Sequence, residues 1–163
     1  MANITILDTG YPNNTNGGTQ ESTGNMANSG SAIELKSVEV DYERNSNNDN
    51  SPVPGKYSNS PLSFVSVNNP KLNIKGVLDR QSTADMDLIT ELDKLCTTKG
   101  IKLLYYNSTS DGYRDLTDSL GSTDTHHLLN LTKHFHGRII SFRITHSSSV
   151  THLRYSLVYE VTG

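Results

Sequence analysis

The chain has no tryptophan and a single cysteine, Cys96. One cysteine excludes an internal disulfide, so stability must come from packing or from assembly. Hydrophobic residues are scarce at 33%, below the usual share for a globular domain even after glycine is set aside. Charge does not fill the gap, because charged residues are only 19%. The surplus is Asn, Ser, Thr and Gly, which predicts a thin core and leaves room for stabilisation by burial between subunits. Long apolar runs are missing too. None approaches the ~20 residues that span a bilayer, so no membrane insertion is expected. The opening Met-Ala-Asn-Ile-Thr-Ile has no charged region followed by an apolar stretch, and it does not read as a signal peptide. A basic patch is also lacking. The net charge is −3 with a pI near 6.0, which argues against a dedicated phosphate-gripping nucleic-acid binder.

What is present is a chain of 163 residues, suited to one domain over its whole length. Acidic side chains concentrate early: Asp8, Glu21, Glu34, Glu39, Asp41, Glu43 and Asp49 face only Lys36 and Arg44 within the same stretch. Ile4 and Ile6 mark a short first strand. Residues 10–31 then offer little to bury and read either as a disordered arm or as a long polar loop that orders against a neighbouring subunit, and residues 44–60 are a second long polar loop, a hairpin tip or a flexible connection. Between them Ile33 and Leu35 share one parity, while Val38, Val40 and Tyr42 share the other. A β-bulge near Lys36 and Ser37 would restore one apolar face to a single long strand. Leu62 and Phe64 begin a further strand, and Leu72, Ile74, Gly76 and Leu78 recur at period two.

One helix is expected after Ser82 or Thr83, with Asp85 and Asp87 in the first turn, where the helix dipole favours acids. Leu88, Ile89, Leu92, Leu95 and Cys96 form its apolar stripe and should pack on a sheet. Gly100 suits the end of the helix, and a strand from Ile101 to Tyr106 follows. Residues 107–125 read as a polar loop. The chain closes on its clearest hairpin signal. Ile140, Phe142 and Ile144 alternate with polar residues, then Leu153, Tyr155, Leu157 and Tyr159 do the same, and these seven form the expected core face. The order predicts a mainly β protein with one α-helix, an antiparallel sandwich or barrel.

Candidate chemistry is sparse. His126, His127, His134, His136, His146 and His152 are the only cluster of metal-ligating type. His134 and His136 would share one side of a strand, but neither an HExxH nor a Cys/His spacing accompanies them, and surface positions in strand and loop are the plainer reading. Asp85, Asp87, Glu91 and Asp93 read as a solvated helix face. Cys96 reads as a buried thiol rather than a nucleophile. Neither a nucleophile elbow nor a phosphate loop is found. No catalytic residue, metal ligand or cofactor site is therefore assigned, and the chain is not expected to be an enzyme.

Three stretches carry a family resemblance. "PLSFVSVNNPKLNIKGVLD" resembles the strand pair leading to the helix of the tail-tube and baseplate proteins of tailed viruses. "STADMDLITELDKLCTTKGIKLLYY" resembles their single helix and its exit strand, and "HGRIISFRITHSSSVTHLRYSLVYEVTG" their final hairpin. The resemblance covers residues 61–163 and is one of pattern and order. It implies a tail-tube type of barrel and a structural subunit of the virion tail, made in the host cytoplasm. Such subunits form rings, usually hexameric, by joining their sheets, and the rings stack into the conduit for genome ejection. DNA then passes through without specific binding, and other tail or baseplate proteins are the remaining partners. Long loops reach neighbouring subunits in that family, which makes Tyr11, Pro12, Met26, Pro52, Val53, Pro54 and Tyr57 candidate inter-subunit residues. A second expectation, from another class, is a β-sandwich module of a tail tip or baseplate that binds carbohydrate or a receptor.

Overall fold

The computed structural model describes residues 2–8, 32–49, 63–97, 101–107, 115–123, 132–147 and 150–162. Eight strands and two helices lie among them: β1 (Ala2–Asp8), β2 (Ala32–Glu43), β3 (Ser46–Asp49), β4 (Ser63–Val67), β5 (Lys71–Asp79), α1 (Thr83–Thr97), β6 (Lys102–Asn107), α2 (Leu116–Leu120), β7 (Phe135–Thr145) and β8 (His152–Val161). The protein is mainly β and its strand pairs are antiparallel. Six strands follow one another as hydrogen-bonded neighbours in the order β1, β2, β5, β8, β7, β6, and β6 returns to β1.

The ring is not evenly closed. β2 pairs with β1 through Val38 and with β5 from Glu39 onward. β7 pairs with β6 only at Phe135, His136 and Gly137, then continues along β8. Each of these two strands thus passes from one side of the molecule to the other. β2 does so at the expected bulge: the register with β1 shifts between Ile4 opposite Leu35 and Ala2 opposite Val38. The slip lets Ile33, Leu35 and Val38 all be buried despite their change of parity.

The core gathers the inward side chains of the six strands, with Leu92 and Leu95 of α1. Leu88, Ile89 and Cys96 of the expected stripe are half-buried and pack against it. α1 starts where expected. The Asp85 N–H donates to Ser82 Oγ at 3.3 Å and the Met86 N–H to the Ser82 carbonyl at 3.1 Å, so Ser82 caps the helix. Asp85 also accepts the Asp79 N–H at 2.8 Å, tying the helix entry to the end of β5. Gly100 lies outside the described residues.

Two expectations need correction. A second helix, α2, interrupts the stretch read as a polar loop. The Asp115 N–H donates to Asp118 Oδ2 at 3.1 Å, and Thr117 is buried with its hydroxyl donating to the Tyr106 carbonyl at 3.4 Å. These anchors are polar, so apolar periodicity gave no sign of the turn. The second correction concerns the hairpin face. Ile140 is 42% exposed, and the inward residue of that pair of isoleucines is Ile139, at 8%. The ladder passes from Ile139 opposite Tyr159 to Ser141 opposite Val158, which makes Ile140 the extra residue of a bulge. Phe142 and Ile144 keep the inward parity, opposite Leu157 and Tyr155, but Phe142 is only half-buried and Ile144 is 39% exposed. Leu153, Tyr155, Leu157 and Tyr159 are buried as expected.

Between β1 and β6 the sheet is pinned by a polar pair. Lys102 is 1% exposed and its ammonium donates to Asp8 Oδ1 at 2.9 Å, across a register that sets the two residues opposite each other. Nearby, the single proton of the Tyr159 hydroxyl is shared between the carbonyls of Lys102, at 2.5 Å, and Phe135, at 2.9 Å. One phenol thus ties β8 to both strands where β6 and β7 meet.

Candidate assembly interface

The pairings isolate one continuous four-stranded sheet, in the order β2, β5, β8, β7. Its inward rows are apolar. Tyr42, Leu72, Tyr159 and Ile139 stand in register, as do Val40, Ile74, Leu157 and Phe142. The other parity makes the outward rows. Glu43, Lys71, Glu160 and Arg138 form one, Asp41, Asn73, Val158 and Ser141 the next, and Glu39, Lys75, Ser156 and Arg143 the third. This is the alternation of a sheet with one face on the core and one on water.

The outward face is charged but balanced. Glu39, Asp41, Glu43, Asp79 and Glu160 are matched in number by Lys71, Lys75, Arg138, Arg143 and Arg154. The two signs are not evenly spread. The β2 side carries Glu39, Asp41 and Glu43 and the β7 side carries Arg138 and Arg143, all exposed. Arg138 lies 3.7 Å from Glu160 on the adjoining strand. Exposed pairs of that kind contribute little to the fold.

Both sides of this sheet end in an edge. Among the described residues, β2 from position 39 onward pairs with β5 alone, and β7 from position 138 onward pairs with β8 alone. Each edge presents backbone donors and acceptors of the kind that accept another strand. With four antiparallel strands, the two edges also run in opposite directions.

Beyond the sheet, β2 and β5 continue into β3 and β4, which pair from Ser46 opposite Val67 to Asp49 opposite Ser63. A hairpin stem therefore continues past the four-stranded sheet. Side-chain amides join its base: Asn47 Nδ2 donates to Asn68 Oδ1 at 2.9 Å and to Ser66 Oγ at 3.0 Å, and Asn69 Nδ2 donates to Glu160 Oε1 at 3.0 Å. The Asn richness of this stretch thus has a local structural use.

The candidate inter-subunit residues Tyr11, Pro12, Met26, Pro52, Val53, Pro54 and Tyr57 lie outside the described residues, as do His126 and His127. His134 is not the surface residue expected. It is fully buried, its backbone bridges to Ser122, and its ring centroid lies 4.7 Å from that of His136. Among the described residues no group of three or more His, Cys, Asp or Glu side chains is placed to hold a metal. Cys96 is half-buried. Burial pushes its thiol up, the Asp93 charge adds to the effect, and Lys102 opposes it. A thiol held protonated is a poor nucleophile. Asp87, Glu91 and Asp93 are exposed on α1, as a solvated face requires, whereas Asp85 is half-buried against the end of β5.

Sequence reasoning missed the charged rims. Their signal was present in the outward parity of β2 and β7, but it acquires meaning only when those strands are known to be the two edges of one sheet. No model of a known protein family and no curated protein matches the chain.

Proposed function

We propose that the chain is a structural, non-catalytic subunit of a viral tail tube that self-assembles into stacked, hexameric rings forming a conduit for genome delivery. The observation that carries this reading is the four-stranded sheet: apolar inside, polar outside, and, among the described residues, open at two edges of opposite direction. Such a sheet can continue from copy to copy, because the β7 edge of one and the β2 edge of the next form an antiparallel pair when the copies follow head to tail. The charge-balanced outward face would then line the bore. A wall without net charge gives DNA no cluster of cations to adhere to, so it can pass without specific binding. The projecting β3–β4 stem supports the same reading, as an arm able to reach a neighbouring copy or another tail or baseplate protein. These features support a fold of tail-tube type, working in the virion after synthesis in the host cytoplasm.

The test is size-exclusion chromatography followed by negative-stain electron microscopy of the purified chain. Rings or stacked tubes are expected. A uniform monomer at high concentration would overturn the reading. One observation favours the binding-module alternative: a recess at the base of the hairpin stem, lined by Glu43, Asn45, Asn68, Asn69, Lys71 and Glu160. Carboxylates and amides are the groups that recognise sugar hydroxyls. A glycan screen read by thermal stabilisation tests it, and an absence of any shift removes it.

A further inference from the structure

The two open edges of the four-stranded sheet differ in charge. Glu39, Asp41 and Glu43 occupy alternate outward positions on the β2 edge, and Arg138 and Arg143 occupy outward positions on the β7 edge. Three edge-to-edge pairings are available to two copies. Joining β7 to β7 brings arginines against arginines, and joining β2 to β2 brings carboxylates against carboxylates. Like charges opposed across a strand pair are unfavourable. Only β2 against β7 sets opposite signs together. In the unstaggered register the rows simply continue, so Arg138 falls opposite Glu43 of the next copy and Arg143 opposite its Glu39.

We propose that the junction between copies is keyed by charge: the acidic β2 rim of one copy meets the basic β7 rim of the next, and the same charges reject both two-fold pairings. This rests on the assembly reading above and adds the residues that orient it. Exposed ion pairs add little affinity, and their stronger effect is on which partners are excluded. The key therefore selects head-to-tail order, which is the kind of contact that generates rings or filaments instead of closed dimers. It also makes assembly sensitive to salt, since charges on a wetted sheet face are screened within about 10 Å at ~0.1 M ionic strength.

Two variants and their combination test it: E39K/D41K/E43K, R138E/R143E, and the chain carrying all five changes. Circular dichroism and melting establish that each is folded, and sedimentation velocity with electron microscopy reads assembly. The wild-type chain should assemble. Each single-rim variant should need a concentration about tenfold higher or more, because several weak attractions become repulsions at every junction. An equimolar mixture of the two should recover assembly by alternating around the ring, and the five-fold variant should assemble alone with its rims exchanged. If folded single-rim variants assemble as the wild type does, or if neither the mixture nor the five-fold variant recovers, the key is overturned while the assembly reading stands. A wild-type chain that stays monomeric overturns the assembly reading and the key with it.

Discussion

β2 and β7 do the same job at two places in the sheet. Each passes from one side of the molecule to the other, and each carries one extra residue near the change of partner. Their surroundings differ. In β2 the bulge lies within the β1 ladder, and the buried residues Ile33, Leu35 and Val38 lie on both sides of it. In β7 the bulge divides a buried half from an open one. Phe135, Gly137 and Ile139 are buried before it, whereas Ile140, Ser141, Arg143, Ile144 and Thr145 are exposed after it. A bulge strengthens local twist and bends its strand. In β2 that bend carries a strand around the core. In β7 the bulge falls past the last pair with β6, on a segment that already runs as an edge.

The sharpest way to break this comparison is to shorten the two adjacent isoleucines of β7 separately. Ile139 belongs to the core cluster, and Ile139→Ala should cost about 2–4 kcal/mol by lost burial and cavity formation. Ile140 is the exposed extra residue, and Ile140→Ala should cost less than about 1 kcal/mol. Chemical denaturation of both variants checks this. Equal losses would mean that the bulge does not divide the strand as described.

These isoleucines also show why one slip was legible and the other was not. In β2 the apolar residues change parity across a polar pair, Lys36 and Ser37, and only a bulge reconciles them. In β7 the residue before the bulge and the bulged residue are both isoleucine. Ile140, Phe142 and Ile144 therefore read as one unbroken alternation and hide the true inward set of Phe135, Gly137 and Ile139. Gly137 has no side chain to mark the pattern, which removed the remaining clue. The helix was legible because its cap, first-turn acid and stripe agree. α2 was not, because Asp115, Thr117 and Asp118 hold it by polar contacts. The edge strands could not be identified at all, since edges are a property of strand order and not of any one strand.

The buried half of β7 can be probed where it is tightest. A Cβ on Gly137 would lie 2.1 Å from the Glu160 carbonyl oxygen and 2.8 Å from the Tyr159 ring. The first neighbour is backbone and cannot swing aside, so Gly137→Ala should force β7 from β8 and cost about 1–3 kcal/mol. Gly76 is a useful contrast, since its neighbour is the Tyr155 side chain. Tyr159→Phe is a milder probe of the same junction. It removes the hydroxyl shared by the Lys102 and Phe135 carbonyls and should cost about 1–2 kcal/mol without opening a cavity. Melting temperatures of the two variants test the order, and a Tyr159→Phe protein as stable as the wild type would show that water replaces the phenol there.

The smallest effect separates the two halves by pH. Tyr159 faces Ile139 in the buried half, and Tyr155 faces Ile144 in the open one. Burial raises both phenols. Tyr155 is pushed up to about 12, with the Asp85 charge adding to burial, and Tyr159 is held well above its ordinary value by burial alone. An unfolded tyrosine ionises near pH ~10. Below that pH both states keep the proton, and the contribution to stability is fully present. As pH rises from about 10 to about 12, the unfolded chain releases protons that the folded chain retains, so stability falls. Melting temperature should therefore decline over that window, and Tyr155→Phe should reduce the decline. Tyrosinate absorbance should show Tyr155 titrating near the top of the window and Tyr159 ionising only as the protein unfolds. If Tyr159 titrates reversibly in the folded protein along with Tyr155, the half of β7 before the bulge is no better closed than the half after it.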